Sequence, residues 1–208
     1  MRLASEEAYH QIKEKIITLD LAPSSVINEQ ALMKNLGLGR TPIREALQRL
    51  DAEGLVHIVP RRGMFVTDIS ITDLQEIFEV RIVMAGFCAR LAARRITPEQ
   101  IAQLEAVLRD LEQVQGGDSI ALMEIDKRFQ RVLYQAAGNK FLTDALERLY
   151  DSGLRLWHLV LHRLGDVRDA IEQHREVLEA LKARDEKMAE SLIQQHIADF
   201  QNAIKAVL

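Results

Sequence analysis

The sequence is poor in the residues that staple or interrupt chains: one cysteine, four prolines and ten glycines in 208 residues. A single cysteine, Cys88, forms no intrachain disulfide and no cysteine zinc cluster, which accords with a reducing compartment. Few glycines and prolines leave room for long uninterrupted helices. No apolar run reaches the roughly 18 residues of a membrane span, and the opening MRLASEEAYHQIKEK lacks the apolar segment of a secretion signal. A cytoplasmic protein with no membrane partner is expected. Apolar residues at 48% and charged residues at 28% exclude disorder by composition, and the length allows one or two domains.

An excess of positive charge is also lacking, since the net charge is −4. Taken whole, that argues against a partner rich in phosphate. The distribution reverses the argument. Residues 1–68 carry nine basic and nine acidic side chains, so residues 69–208 hold the whole acidic excess, 18 basic against 22 acidic. Within Gln30–Arg62 six basic residues face three acidic ones. A small, locally basic module on an acidic body is the pattern expected of a nucleic-acid reader joined to a second domain.

The first part reads as three helices and a hairpin. Ala8, Ile12, Ile16 and Leu19 recur at helical spacing over Ser5 to Leu19, and Pro23, Ser24 and Ser25 end that helix. Asn28 is placed to cap a second helix, Glu29 to Leu36, stopped by Gly37. Thr41 and Pro42 suit the cap and first turn of a third helix reaching about Glu53. The β-rich runs Leu55–Val59 and Met64–Val66 flank Pro60-Arg61-Arg62-Gly63, a hairpin with a basic tip. Helix, turn, helix and wing form a winged helix-turn-helix over residues 1–69. From Ile71 the strand signal disappears. Helices are expected at about 71–96, 98–115, 118–137, 140–164, 166–183 and 186–207, separated by Thr97-Pro98, Gly116-Gly117, Gly138-Asn139, Gly165 and Arg184-Asp185. Short connections make neighbours antiparallel, so residues 70–208 form an all-α bundle of six or seven helices and the fold is mainly α.

On the third helix Ile43, Leu47 and Leu50 fall on one face, which turns Arg44 and Gln48 outward with Arg40 just ahead. The first residues of a recognition helix meet base edges in the major groove, and the arginine fork fits O6 and N7 of guanine. Thr41 and the free amides of the first turn suit phosphate, as do Arg61 and Arg62 at the wing tip. An isolated basic amphipathic helix is as often a solvated face, but its order within helix, turn, helix and wing favours a reader. Residues Tyr9 to Val66, with NEQALMKNLGLGRTPIREALQRLDAEGLVHIVPRRGMFV, resemble the DNA-binding domain of the GntR family of bacterial transcription regulators. The resemblance implies DNA contacts by Arg40, Thr41 and Arg44 and by the wing around Arg62 and Gly63. This chain has Gln30 where family members often carry an arginine.

The second part places polar groups on apolar stripes. His174 shares a row with Ile171, Val177, Leu178 and Leu181, and His196 shares one with Met188, Leu192, Phe200 and Ala203. Each histidine lies eleven positions from the turn at Asp185, about 16 Å along a helix at about 1.5 Å per residue, so an antiparallel hairpin sets them level. Asp126 interrupts the stripe of Leu122, Phe129 and Leu133. A buried polar group left unpaired costs on the order of 1–3 kcal/mol, so the three must serve one another, either as a hydrogen-bonded cluster or around a divalent cation. Residues 72–207 resemble the effector-binding helical domain of the FadR-type subfamily. In its metal-binding members an aspartate, a histidine four residues later and two further histidines bind the ion, which implies Asp126, His174 and His196 as ligands. Gln130 replaces the first histidine and offers only a neutral carbonyl oxygen, so zinc, nickel and manganese are not distinguished. His158 and His162 are candidate replacement ligands or pocket donors, and Arg81 a candidate partner for an effector carboxylate. Cys88 and the methionines read as packing, and Asn139 as a helix cap.

The expectation is a homodimeric regulator that reads a palindromic double-stranded operator and responds to a small carboxylate-containing effector, through a divalent metal ion where one is bound. It is not expected to be an enzyme. A metal-dependent hydrolase on a helical bundle is the competing class, but it lacks a general base beside the ligands and leaves Arg40 and Arg44 without a task. An architectural DNA-binding protein with an inert bundle is disfavoured by the polar triad.

Overall fold

A computed structural model describes residues 2–115, 118–165 and 167–208. The chain separates into two compact units, the first running through Asp73 and including Leu154–Leu159, the second holding Leu74–Gly153 and Val160–Leu208.

In the first unit, α1 (Arg2–Ile17) buries Ala8, Ile12 and Ile16, one residue per turn, in a core shared with Ile43, Leu47 and Leu50 of α3. The helix starts earlier than its apolar spacing suggests and stops before Leu19, which takes a left-handed conformation with φ of 64°. α2 (Glu29–Leu36) keeps its expected bounds, because Asn28 accepts a hydrogen bond from the Ala31 amide at 3.0 Å and Gly37 closes the helix at φ 65°. α3 (Arg40–Ala52) begins two residues before Pro42. Gly39 is its cap, Thr41 caps nothing, and Pro42 is the third helical residue. No amide in a first turn has an intrahelical partner, so proline fits anywhere in that turn. Gly39 brings no side chain to the exposed amides, which remain open.

β1 (Val56–Val59) and β2 (Gly63–Val66) pair antiparallel, Val56 opposite Val66 and Val59 opposite Gly63. Pro60 and Arg61 form the turn, closed by the Arg62 amide on the Val59 carbonyl at 3.0 Å, with Arg61 at φ 63°. The preceding loop adds a third lane, since Val26 bridges Phe65 and the Ile27 amide donates to the Met64 carbonyl. Asp51 of α3 accepts from the Ile58 amide at 2.9 Å, which ties the hairpin to α3.

Helices α4 (Ile71–Arg95), α5 (Pro98–Gln113), α6 (Ser119–Ala136), α7 (Lys140–Val160), α8 (Arg168–Glu172), α9 (His174–Lys182) and α10 (Glu186–Lys205) follow. The expected helix 140–164 ends at Val160 and tightens into a 3-10 turn, Leu161–Arg163. The expected helix 166–183 is two helices that break at Gln173, so the six segments become seven α-helices among the described residues. The apolar row through Ile171, His174 and Val177 runs across that break, which hides it from periodicity. The expected break at Gly116-Gly117 lies outside the described residues. Caps fix the starts: Thr97 and Gln100 form a reciprocal capping box, and Asp118, Asn139 and Asp185 each accept the amide three residues on. Arginines occupy the carbonyl ends. Arg184 reaches the carbonyls of Ala93, Arg94 and Ile96 at the end of α4, Arg95 that of Ala137 just past α6, and Arg168 those of Leu111 and Val114 at the end of α5.

Leu47 is fully buried at the meeting of α1 and α3. Leu47→Ala should cost about 2–5 kcal/mol of the first unit's stability. Urea unfolding followed by circular dichroism measures this, and a loss below about 1 kcal/mol would place the core elsewhere.

Candidate functional site

Two groups of residues stand out, one on each unit. On the first, the open end of α3 and the wing border a groove of about 540 Å³, lined by Glu29, Gln30, Arg40, Arg44, Arg61 and Gly63 among others. Of the residues picked from sequence, Arg40, Arg44, Arg61 and Gly63 meet there. Thr41, Gln48 and Arg62 are exposed on the same elements but do not line the groove. Among the described residues Arg40, Arg61 and Arg62 form no ion pair. Arg44 does: its Nε and Nη2 donate to the two carboxylate oxygens of Glu29 at 2.9 and 3.2 Å. That hydrogen bond holds the Glu29 carboxyl below its ordinary range.

On the second unit the polar residues of three stripes converge. Asp126 from α6, His174 from the first turn of α9 and His196 from α10 are all buried, with ligand atoms within 4.8 Å of one another. Asp126 Oδ1 lies 2.7 Å from His174 Nε2 and 3.3 Å from His196 Nε2, while Oδ2 accepts from the Tyr150 hydroxyl at 2.7 Å. Phe129 stacks on the His174 ring at 4.1 Å between centroids. Burial acts to raise the Asp126 carboxyl, but the hydrogen bonds from both histidines outweigh it and keep Asp126 ionised well below its usual range. Burial, with His196 beside it, pushes His174 down, so its ring is neutral. The Tyr150 phenol is held well above its normal range by burial and by Asp126.

Around this cluster lie polar atoms with nothing to bind. Gln130, one turn after Asp126, is buried with both side-chain atoms unpartnered, and so are the Tyr134 hydroxyl, Arg81 Nε and the Nδ1 atom of each histidine. Arg81 is 2% exposed, has no carboxylate partner among the described residues, and lies 5.0 Å over the Tyr150 ring. A buried guanidinium without a counter-charge costs several kcal/mol. His158 and His162 do not join the cluster. α7 ends between them, His162 is exposed on the 3-10 turn, and His158 belongs to the segment grouped with the first unit.

The gntR family of bacterial regulatory proteins matches residues 4–66, and the FCD domain family matches residues 76–199. The chain belongs to the GntR family. It is 30% identical to the HTH-type transcriptional repressor GlaR of Escherichia coli over 95% of this chain and 94% of that one. It is 28% identical to the HTH-type regulator YdhC of Bacillus subtilis, covering 96% of this chain and 90% of the relative. The solved structure of E. coli McbR/YncC shares the fold, with a TM-score of 0.82 at 24% identity over 96% and 97% of the two chains. The protein is therefore a DNA-binding transcription regulator with a helical effector-binding domain, and not an enzyme. No helix is long and apolar enough to cross a membrane among the described residues.

Two members of the regulator's buried centre, Tyr134 and Tyr150, escaped the sequence reading. Each is an aromatic on an apolar stripe and reads as packing, yet a hydroxyl in such a place demands a partner as a histidine does. Glu29 is legible in the sequence only as the first residue of a helix.

The ionisation pattern of this GntR regulator sets a pH dependence. A His174 ring held below its ordinary 6.5 means that, as pH falls through 6.5, the unfolded chain takes a proton that the folded chain refuses, and stability drops. The lowered Asp126 adds a loss of the same sign as pH falls below 3.8 toward its folded value. Urea midpoints should decline from pH 7.5 to 5, and His174→Gln should flatten that decline. A midpoint that rises on acidification would contradict the neutral ring.

Proposed function

We propose that this regulator acts as a homodimer on a palindromic operator, reading bases with Arg40 and Arg44 and steadying the complex through Arg61 and Arg62. The helical domain senses a small organic acid. The observation that carries the sensor reading is the buried Arg81, without a carboxylate partner among the described residues and within electrostatic reach of Tyr134, in the same unit as the unpartnered Gln130. A carboxylate laid against Arg81 neutralises its charge and accepts from its fork, and Gln130 and Tyr134 supply further donors.

Asp126, His174 and His196 have the identity and spacing of a divalent-metal site, and the free carbonyl of Gln130 offers a fourth oxygen. When bound there, the ion supplies a second positive centre for the effector's anionic group. The chain's own residues do the rest: Asp126 sets the tilt of both imidazoles, Phe129 holds the His174 ring by stacking, and Tyr150 restrains the second carboxylate oxygen. A metal-free pocket is favoured in turn by the two hydrogen bonds and the His196 contact that already serve Asp126. Metal analysis of the purified protein, with Asp126→Asn as control, separates the two.

An effector alters DNA affinity only by preferring one arrangement of the molecule over another. Arg44→Ala should weaken binding to a duplex selected from a random pool by about 1–3 kcal/mol, and undiminished binding would remove Arg44 from the reader. Arg81→Gln should leave that binding within about twofold in mobility-shift titrations while abolishing the thermal stabilisation given by whichever acid from a carboxylate panel stabilises the native protein. Retained stabilisation would move the anion site elsewhere.

A further inference from the structure

The contact between Glu29 and Arg44 lies on the surface proposed to meet DNA, and its geometry is unusual for a stray surface ion pair. Both donors on one edge of the guanidinium, Nε and Nη2, are taken by both oxygens of one carboxylate. The glutamate side chain is 20% exposed and the arginine 52% exposed, so the acid is the fixed member and the base the projecting one. Glu29 opens α2 immediately after the Asn28 cap, where the amide dipoles favour a carboxylate, and its backbone is set by that cap. What remains free on Arg44 is the end of its fork, Nη1 with the second hydrogen of Nη2. That parallel pair matches the two acceptors on the major-groove edge of guanine.

We infer that Glu29 is a specificity-determining residue, holding Arg44 so that its free edge addresses a base and countering the attraction of that arginine for phosphate. The inference rests on the reading of Arg44 as a DNA-facing residue. Two physical effects act together. A guanidinium clamped along one edge has fewer orientations to lose on binding, which favours the one base geometry it can reach. A carboxylate within hydrogen-bond distance of the arginine also repels phosphate oxygens, so a complex held only by backbone contacts gains little from Arg44. Nonspecific binding, which is almost wholly phosphate contact, is suppressed more than specific binding. Arg40 lines the same groove without an ion-pair partner among the described residues, though its charge also acts on Glu29.

The test compares native protein with Glu29→Gln, Glu29→Asp and Arg44→Ala on two probes, a duplex selected from a random pool by the native protein and a scrambled duplex of equal length. Glu29→Gln removes the negative charge. Binding to the scrambled duplex should tighten several-fold, the slope of log affinity against log salt should steepen by about one, and the selected-to-scrambled ratio should fall about tenfold. Glu29→Asp keeps the charge but shortens the reach by one methylene, so the ratio should fall while the salt slope stays near that of the native protein. Melting temperatures near that of the native protein for these first-turn variants exclude misfolding as the cause. If Arg44→Ala weakens the selected duplex but neither Glu29 variant changes the ratio or the slope, the role of Glu29 is overturned and Arg44 reads DNA unaided. If Arg44→Ala leaves the selected duplex bound as before, both readings fall.

Discussion

The second unit is organised around one buried carboxylate. Asp126 accepts from Tyr150 of α7, His174 of α9 and His196 of α10, so a single side chain on α6 fixes the facing of three other helices. Apolar packing tolerates a helix turning or sliding by a fraction of a residue, because leucine and isoleucine interchange contacts at little cost. A charge in a low-dielectric interior does not tolerate it, since each lost donor exposes an unpaired ion to a medium that cannot solvate it. The break at Gln173 fits that requirement. It begins α9 at His174, placing the ring in the first turn of a new helix rather than in the middle of a continuous one.

Satisfaction of Asp126 makes the incompleteness of its surroundings informative. Three donors serve one acid, while Arg81, a stronger donor than any of them, is left without an acid although it lies against the Tyr150 ring. A core evolved only for packing would have paired Arg81 with Asp126 or replaced it by an apolar residue, either of which avoids an uncompensated charge. Keeping the histidines on Asp126 and the guanidinium free separates an anionic pole from a cationic one inside the same buried region. That arrangement suits a ligand bearing a carboxylate better than it suits an inert bundle.

Much of this was legible in the sequence, and the failures share a cause. Asp126, His174 and His196 were visible because a charge or an imidazole on an apolar stripe contradicts its neighbours, and their common distance from Asp185 set the two rings level. α2 was legible to the residue because Asn28 and Gly37 each specify a local backbone conformation. The start of α3 was not, since Thr41 and Pro42 also fit two residues deeper in the first turn, and the cap that decides it, Gly39, has no side chain. His158 and His162 fall within one expected helix because nothing in Leu161-His162-Arg163 announces a 3-10 turn. Tyr134 and Tyr150 were hidden by their own apolar rings. Sequence patterning reports where a side chain is buried, whereas the hydroxyl's partner depends on which helices come together.

Charge bookkeeping in the first unit leads to a similar distinction between totals and places. Its nine basic and nine acidic residues over positions 1–68 predict no field at all. The structure spends the acids selectively. Glu6 and Glu53 engage Arg49, Glu53 also engages Lys13, and these pairs lie between α1 and α3, away from the groove. Arg40, Arg61 and Arg62 form no ion pair among the described residues at the start of α3 and on the wing. Within about 10 Å, the screening length at moderate salt, a phosphate at the groove meets these cations and the open amides of α3 rather than the chain's average. Glu29 is the exception, an acid set among the exposed bases. Its position there makes sense if the reader must bind its own sequence without binding every duplex, because an unopposed cluster of arginines would raise both affinities together.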